Sequence, residues 1–390
     1  MKRSLTSLTA GVVLSAVLYS GAAVAQEKMI RIPFLTNFTG PSAPFSLRVW
    51  RGAEAGMAEV NAQGGVRGGM KIEFFKVDNR SETQTALTEY RRACANQEIP
   101  IYWAAVSSKD IDALYEVAKD CSMATFASTS GSHWIHPDPG KWVYRYLPVP
   151  TQVLPVQYQK LKAEFNVKTA ALAIESDNNF AVFNAKIAKE ILEKLGVKIV
   201  VEVDSKLHET NFASQVSAIR AARPDIIILS LNTDSGGRLT RQIRERGITV
   251  PISDTGYTVV GRDYWENSQG TGIGAIGSSI YASSDPRPIV QDWIKKWRAA
   301  TNNPTTDPDP YETSTYDAVL VLAKILNNAK SLSRQDVADA FMTINSMETI
   351  SGTISYRKQD LPDVFRSEPI LVKLGENGRL ERWGAPPAMR

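Results

Sequence analysis

Strand-like and helix-like runs alternate between Met29 and Arg246 with turn residues separating them. That alternation builds βα units on parallel sheets, and excludes helical bundles and β-sandwiches. Met29 to Leu35 reads as a strand. Leu47 to Ala62 reads as a helix with Val49, Ala53, Met57 and Val60 on one stripe, and Gly64-Gly65-Val66-Arg67-Gly68-Gly69 as a turn. Strand Lys71 to Asp78, helix Glu82 to Cys94, strand Ile99 to Ala105, helix Asp110 to Asp120 and strand Ala124 to Ala127 complete one α/β half. A Pro-marked crossing at Leu147-Pro148-Val149-Pro150 opens a second half of the same kind. Its strands are Thr169 to Ile174, Lys198 to Val203 and Asp225 to Leu231. Its helices are Phe180 to Leu195, Phe212 to Ala222 and Arg238 to Arg246.

From about Tyr281 the pattern changes. Helices fit Ile289 to Ala300, Thr315 to Ala329 and Arg334 to Ile344, and strand-like pieces fit Gly352 to Tyr356 and Pro369 to Leu374. Glu376-Asn377-Gly378 makes a hairpin turn before Leu380 to Trp383. This tail is too irregular for a third α/β domain. It is expected to complete the first two, with the chain crossing between them more than once.

Composition narrows the class further. The 390 residues, 43% hydrophobic and 22% charged, suit two or three folded domains and neither a disordered nor a polytopic membrane chain. Lys and Arg number 45 against 41 acids without a basic run, so no nucleic-acid footprint is present. Lys2 and Arg3, an apolar stretch from Ala10 to Tyr19 and Ala23-Val24-Ala25 form a signal peptide over residues 1–25, cleaved before Gln26. The apolar stretch is short for a membrane span. Export from a Gram-negative cell leads to an oxidising compartment, where Cys94 and Cys121, the two cysteines, either pair or persist as buried thiols.

Enzyme signatures fail on context. Gly272-Ile273-Gly274-Ala275-Ile276-Gly277 matches G-x-G-x-x-G but precedes a strand and opens no helix, so it lacks the dinucleotide geometry. No phosphate loop and no G-x-S-x-G elbow occur, and Ser176-Asp177-Asn178 stands without its serine β-lactamase companions. His133 and His136 flank prolines in a loop, and neither they nor His208 form a zinc triad. What remains is a set of hydroxyls and glycines at carboxyl ends of strands, where open α/β sheets bind ligands. These are Gly40-Pro41-Ser42-Ala43-Pro44-Phe45, Ser107-Ser108 and Ala127-Ser128-Thr129-Ser130-Gly131-Ser132. Their N–H groups and hydroxyls suit a small carboxylate, and they equally suit ordinary turns.

Gly40-Pro41, Gly52-Ala53-Glu54, Asn61-Ala62-Gln63-Gly64-Gly65-Val66-Arg67-Gly68, Asp78-Asn79, Ser107-Ser108, Ala127-Ser128-Thr129, Thr210-Asn211-Phe212, Tyr316-Asp317-Ala318 and Gly352-Thr353-Ile354-Ser355-Tyr356 follow one another in a telling order and spacing. In them the mature chain resembles the type I periplasmic binding proteins of ABC transporters, in the leucine/isoleucine/valine-binding group. The resemblance implies an α/β fold of two doubly wound, Rossmann-like lobes with the ligand in a cleft between them. Lobe 1 would comprise residues 26–147 and 283–355, and lobe 2 residues 148–282 and 356–390, with hinges near Pro148, Ser283 and Tyr356. It implies Phe45 as an aromatic pocket residue on the first loop and Ser107 or Ser108 as the hydroxyl meeting the ligand carboxylate. Ala127, Ser128 and Thr129 would form the grip on the amino-acid head group.

In the second lobe Asn232, Thr233 and Asp234 stand where the family has a tyrosine, and Asp254-Thr255-Gly256-Tyr257 where it has an acid. Asp254 would neutralise an ammonium, with Phe180 and Tyr257 as aromatic neighbours. Some members of the family close a disulfide in the first lobe, as Cys94 and Cys121 would here. The implied function is capture of a small carboxylate, a branched-chain or other apolar amino acid. A monomer without cofactor or metal would deliver it to a permease and ATPase complex in the inner membrane. An aromatic or other carboxylate is the alternative ligand. A secreted α/β enzyme and a sensor serving a receptor kinase stand as alternative roles.

Overall fold

The computed structural model describes residues 28–40, 42–128, 142–356 and 369–384. The first series runs β1 (Met29–Thr36), α1 (Ala43–Ala62), β2 (Lys71–Asp78), α2 (Thr83–Ala95), β3 (Ile101–Ala105), α3 (Ser108–Cys121), β4 (Ala124–Ala127) and β5 (Val143–Arg145). Its strands pair in the order β2-β1-β3-β4-β5, all parallel. The second series runs α4 (Pro150–Phe165), β6 (Thr169–Glu175), α5 (Asn179–Lys194), β7 (Lys198–Ser205), α6 (Ala213–Ala222), β8 (Ile226–Ser230), α7 (Thr233–Glu245), β9 (Ile252–Asp254), α8 (Arg262–Ser268) and β10 (Ile276–Ser279). The order β7-β6-β8-β9-β10, again parallel, repeats the topology of the first sheet.

The tail is shared. It comprises α9 (Pro288–Thr301), α10 (Pro310–Asn328), α11 (Arg334–Ala340), the antiparallel pair β11 (Met347–Thr349) and β12 (Gly352–Ile354), and β13 (Ile370–Leu374) with β14 (Leu380–Arg382). α10 lies along α1, so close that a Cβ on Gly52 would sit 2.2 Å from the Glu312 carbonyl oxygen. β13 adds antiparallel to β10, and β14 to β13, at the edge of the second sheet. The G-x-G-x-x-G segment leads into β10 and opens no helix.

Two differences from the sequence reading bear on the site. α1 begins at Ala43 instead of Leu47, because Pro44 sits in the first turn, where its missing N–H costs nothing. Phe45 is therefore on a helix and not on a loop. The stretch read as a proline crossing, Leu147-Pro148-Val149-Pro150, leads into a helix that was not read, α4, with Pro150 as its first residue and Pro155 accommodated inside. Cys94 and Cys121 are disulfide-bonded, with Cα atoms 5.6 Å apart, joining α2 to the last residue of α3. The Arg334 guanidinium, buried on α11, donates to the carbonyls of Ala93, Cys94, Asn96, Ile99 and Cys121 around that bond.

Candidate functional site

On the first sheet, β3 ends into Ser107, whose extended backbone makes it the N-cap of α3. Its Oγ accepts from Asp110 N at 3.2 Å and donates to Asp110 Oδ2 at 2.8 Å. The buried Asp110 carboxylate also accepts from Thr83 Oγ1 at 2.6 Å and Asn79 Nδ2 at 3.4 Å. One acid thus locks the end of β2 and the starts of α2 and α3, and its charge is favourable in the first turn of a helix. Ser108 follows as the first helical residue and is buried. Ala127 is fully buried at the end of β4, and Ser128 N donates to Ala104 O at 2.9 Å. Burial pushes the phenol of the neighbouring Tyr146 up to about 12, against the opposing pull of the Ser128, Thr315 and Trp103 side chains beside it. Thr129, His133 and His136 lie outside the described residues.

On the second sheet, β6 ends in Glu175, whose Oε2 accepts from Asn178 Nδ2 at 2.9 Å and Asn232 N at 3.0 Å. Burial pushes this carboxyl up. Asn178 caps α5 by accepting from Phe180 N at 3.1 Å, and donates to Asn232 Oδ1 at 3.1 Å. Phe180, half-buried in the first turn of α5, joins none of the hydrophobic clusters of the core. Thr255 pairs its hydroxyl with Ser230 at 2.8 Å, and Ser230 donates to Ala181 O at 2.7 Å.

Asp254 is fully buried. Its Oδ2 accepts from Val259 N at 2.9 Å and its Oδ1 from Gln157 Nε2 at 3.4 Å, while its carbonyl accepts from Tyr158 Oη at 3.0 Å. Burial pushes the carboxyl up to about 6. All these partners belong to the second series, so the carboxylate serves the loop after β9. Next to it Gly256 has φ +131° and Tyr257 φ +63°, a left-handed backbone that is unusual for a bulky residue and clusters at functional sites.

The two edges meet. α3 touches α5. Phe45 packs edge-on against Tyr311 of α10 at 5.0 Å, and Tyr311 in turn lies 6.2 Å from Tyr257. Arg48 of α1 donates to Asp263 of α8 at 2.7 Å. Its burial works against the charge, and Asp309 and Asp263 beside it more than offset that. Two parallel α/β sheets with one topology therefore face each other at their strand carboxyl ends, with capped helix starts on both sides. Sequence comparison agrees: a model for periplasmic binding proteins matches residues 29–362.

The chain belongs to the periplasmic binding protein family.

An amino acid binding protein of Pseudomonas aeruginosa is 24% identical over 345 residues, spanning 87% of this chain and 89% of its own. A leucine binding protein from Thermotoga maritima superposes with a TM-score of 0.79 at 18% identity, covering 91% of this chain and 98% of that one. A solute binding protein from R. palustris, in complex with benzoate, does so at 0.77 and 17% identity, over 91% and 96%. These structural likenesses show a shared fold.

In this periplasmic binding protein the structure gathers Ser107, Ser108, Ala127 and Ser128 at one edge. It gathers Phe180, Asn232, Thr255 and Tyr257 at the other, with Phe45 linked to Tyr257 through Tyr311. Asp110, Glu175 and Tyr311 were not singled out from the sequence. Ser107-Ser108-Lys109-Asp110 is a capping signature that could have flagged Asp110. Asp309 with Glu312 is another, and it sets the start of α10 and hence Tyr311. Glu175 is a lone acid after an apolar strand and carries no local signal. Among the described residues no cluster of three metal-ligating side chains occurs, and no helix is long and apolar enough to cross a membrane.

Proposed function

We propose that this chain is the solute-capturing component of an ABC importer, exported to the periplasm by residues 1–25. It holds an α-amino acid with a branched or other apolar side chain and breaks no bond. The observation that carries this reading is the meeting of α3 and α5. Each is capped by its own side chain, Ser107 or Asn178, and each starts at the carboxyl edge of one of two matching sheets. Helix starts offer N–H groups and positive potential to a carboxylate from both sides. Residues 26–147 with 283–355 and residues 148–282 with 356–390 act as lobes that close by hinge bending at the three crossings, as a monomer serving a permease and ATPase complex.

A thermal-shift screen of the twenty amino acids, their deaminated acids and benzoate tests the reading. A true ligand at about 100 times its dissociation constant adds ~2.7 kcal/mol of stability. Small-angle scattering should then show a smaller radius of gyration with that ligand. No shift with any amino acid overturns the proposal. A second reading, an aromatic or simple carboxylate, is favoured by Asp254, whose carboxylate already has two donors inside its own lobe. Binding of benzoate without leucine, isoleucine or valine would select it.

A further inference from the structure

Arg48 carries its charge in the second turn of α1 and is only 6% exposed. A buried cation is costly unless carboxylates answer it. Two stand near, one from each of the proposed lobes. Asp309 precedes α10, the helix that lies along α1, and its Oδ2 is 3.8 Å from Arg48 Nε, beyond hydrogen-bond length. Its oxygens already accept from Tyr311 N at 2.9 Å and Arg262 N at 3.0 Å. Asp263, in the first turn of α8, takes the hydrogen bond instead: Arg48 Nη1 donates to its Oδ1 at 2.7 Å, while Arg48 Nε makes none.

The residue before Asp263 grips the same neighbours with the opposite charge. Besides its N–H on Asp309, Arg262 donates from Nη2 to Asp307 O at 3.0 Å, and its guanidinium lies 5.2 Å from the Trp297 ring. The start of α8 is therefore fastened to α1, to α9 and to the cap of α10. The Arg48–Asp263 bond is the member of this set best suited to be made and broken. The Asp263 side chain is 25% exposed, so water can take the place of Arg48, and Thr233 Oγ1 stays within 3.5 Å of its Oδ2. Arg48 in turn keeps Asp309 on its own side. A pair wholly buried on both sides would leave an unanswered charge on parting.

We infer that the Arg48–Asp263 pair is a latch across the cleft, which stabilises the closed form and slows ligand release without touching the ligand. Both are positioning residues. The inference rests on the two-lobed, solute-capturing reading above and deepens it by naming a bond that holds the closed state. Because the latch acts through closure, it changes the affinity of every ligand of the cleft by the same factor.

Stopped-flow kinetics and small-angle scattering on wild type, Asp263→Asn and Arg48→Met test this, with L-leucine, L-isoleucine and benzoate as probes. Each variant should raise the dissociation rate about tenfold and leave the association rate within about twofold, the pattern expected when one partner of a charged hydrogen bond is truncated. The double variant should release ligand no faster than either single one, since the two side chains act as one pair. Asp263→Glu, which keeps the charge, should restore part of the slow release. Without ligand, both variants should have a larger radius of gyration than wild type.

A wild type that contracts on binding while both variants release ligand at its rate overturns the latch and leaves capture by closure standing, and a lower melting temperature in those variants would then mark a purely structural pair. A wild type that binds without contracting overturns closure and the latch with it. Different factors for L-leucine and L-isoleucine would make the pair a ligand contact and overturn its action through closure. If no probe binds, the ligand-free radii decide: equal values in wild type and both variants overturn the inference.

Discussion

Around the first sheet the core is aromatic and cross-linked. Phe34, Trp50, Phe74, Trp103 and Phe126 pack ring on ring, and the Cys94–Cys121 bond and Arg334 tie α2, α3 and α11 together. The second sheet has the same strand order but an aliphatic core of Ile226, Ile227, Ile228, Leu229, Ala170 and Leu172, with no covalent tie. Their polar edges differ in the same sense. The Asp110 carboxylate accepts from three side chains, Ser107, Thr83 and Asn79, whereas the Asn184 amide makes no hydrogen bond among the described residues. One edge is preassembled by its own hydrogen bonds. The other is held by hydrogen bonds that run from Glu175 through Asn178 to Asn232 and from Thr255 through Ser230 to Ala181, and the Asn184 amide stands outside them.

The largest effect that would break this contrast is loss of the disulfide. Replacing both cysteines with Ser opens a loop of 27 residues' separation and should cost about 3–4 kcal/mol on chain-entropy grounds. Hydrogen exchange should show the loss in β3 and β4 and spare β8. Equal deprotection of both sheets would mean that the lobes unfold as one unit.

The contrast also has a pH signature. Asp254, raised from its ordinary 3.8 to about 6, binds its proton more tightly in the folded chain. Its contribution to stability is fully present below about pH 4 and is lost as pH rises through 6, a change on the order of 2–3 kcal/mol. Asp254→Asn should abolish that slope in the second lobe. Asp78, on the rim of the first sheet, behaves oppositely. Desolvation pushes it up, but hydrogen bonds from Thr39 and Arg80 N prevail and hold it below its ordinary value, so its contribution is lost on acidification. Urea titrations from about pH 2 to 7, followed by hydrogen exchange in β2 and β9, would show whether the two slopes have opposite signs.

A smaller effect sharpens the preassembly argument. Ser107→Ala removes the cap of α3 and one donor to Asp110, and should cost about 1 kcal/mol. It should weaken ligand binding more than an equally destabilising change on a face of α3 remote from the cleft. Identical affinities for the two variants would take Ser107 out of the site.

The alternation of βα units, the two halves and the turn at Glu376-Asn377-Gly378 were legible because period and turn chemistry are local properties of the chain. So was Ser107 as a residue at the end of a strand, and Phe180 as one at the start of a helix. The start of α1 was legible in principle from Pro44, but the hydrophobic stripe beginning later concealed it, and Phe45 moved from loop to helix. Sequence alone determined that this chain would make two matching parallel sheets and which strand ends would carry polar residues. Tertiary structure decided which of those groups would be answered and which would not. Whether Asp254 faces a ligand or Gln157, and whether Asn184 has a partner, depends on side chains tens of residues away brought within about 3 Å, and hydrogen bonds lose their strength within an ångström of that distance.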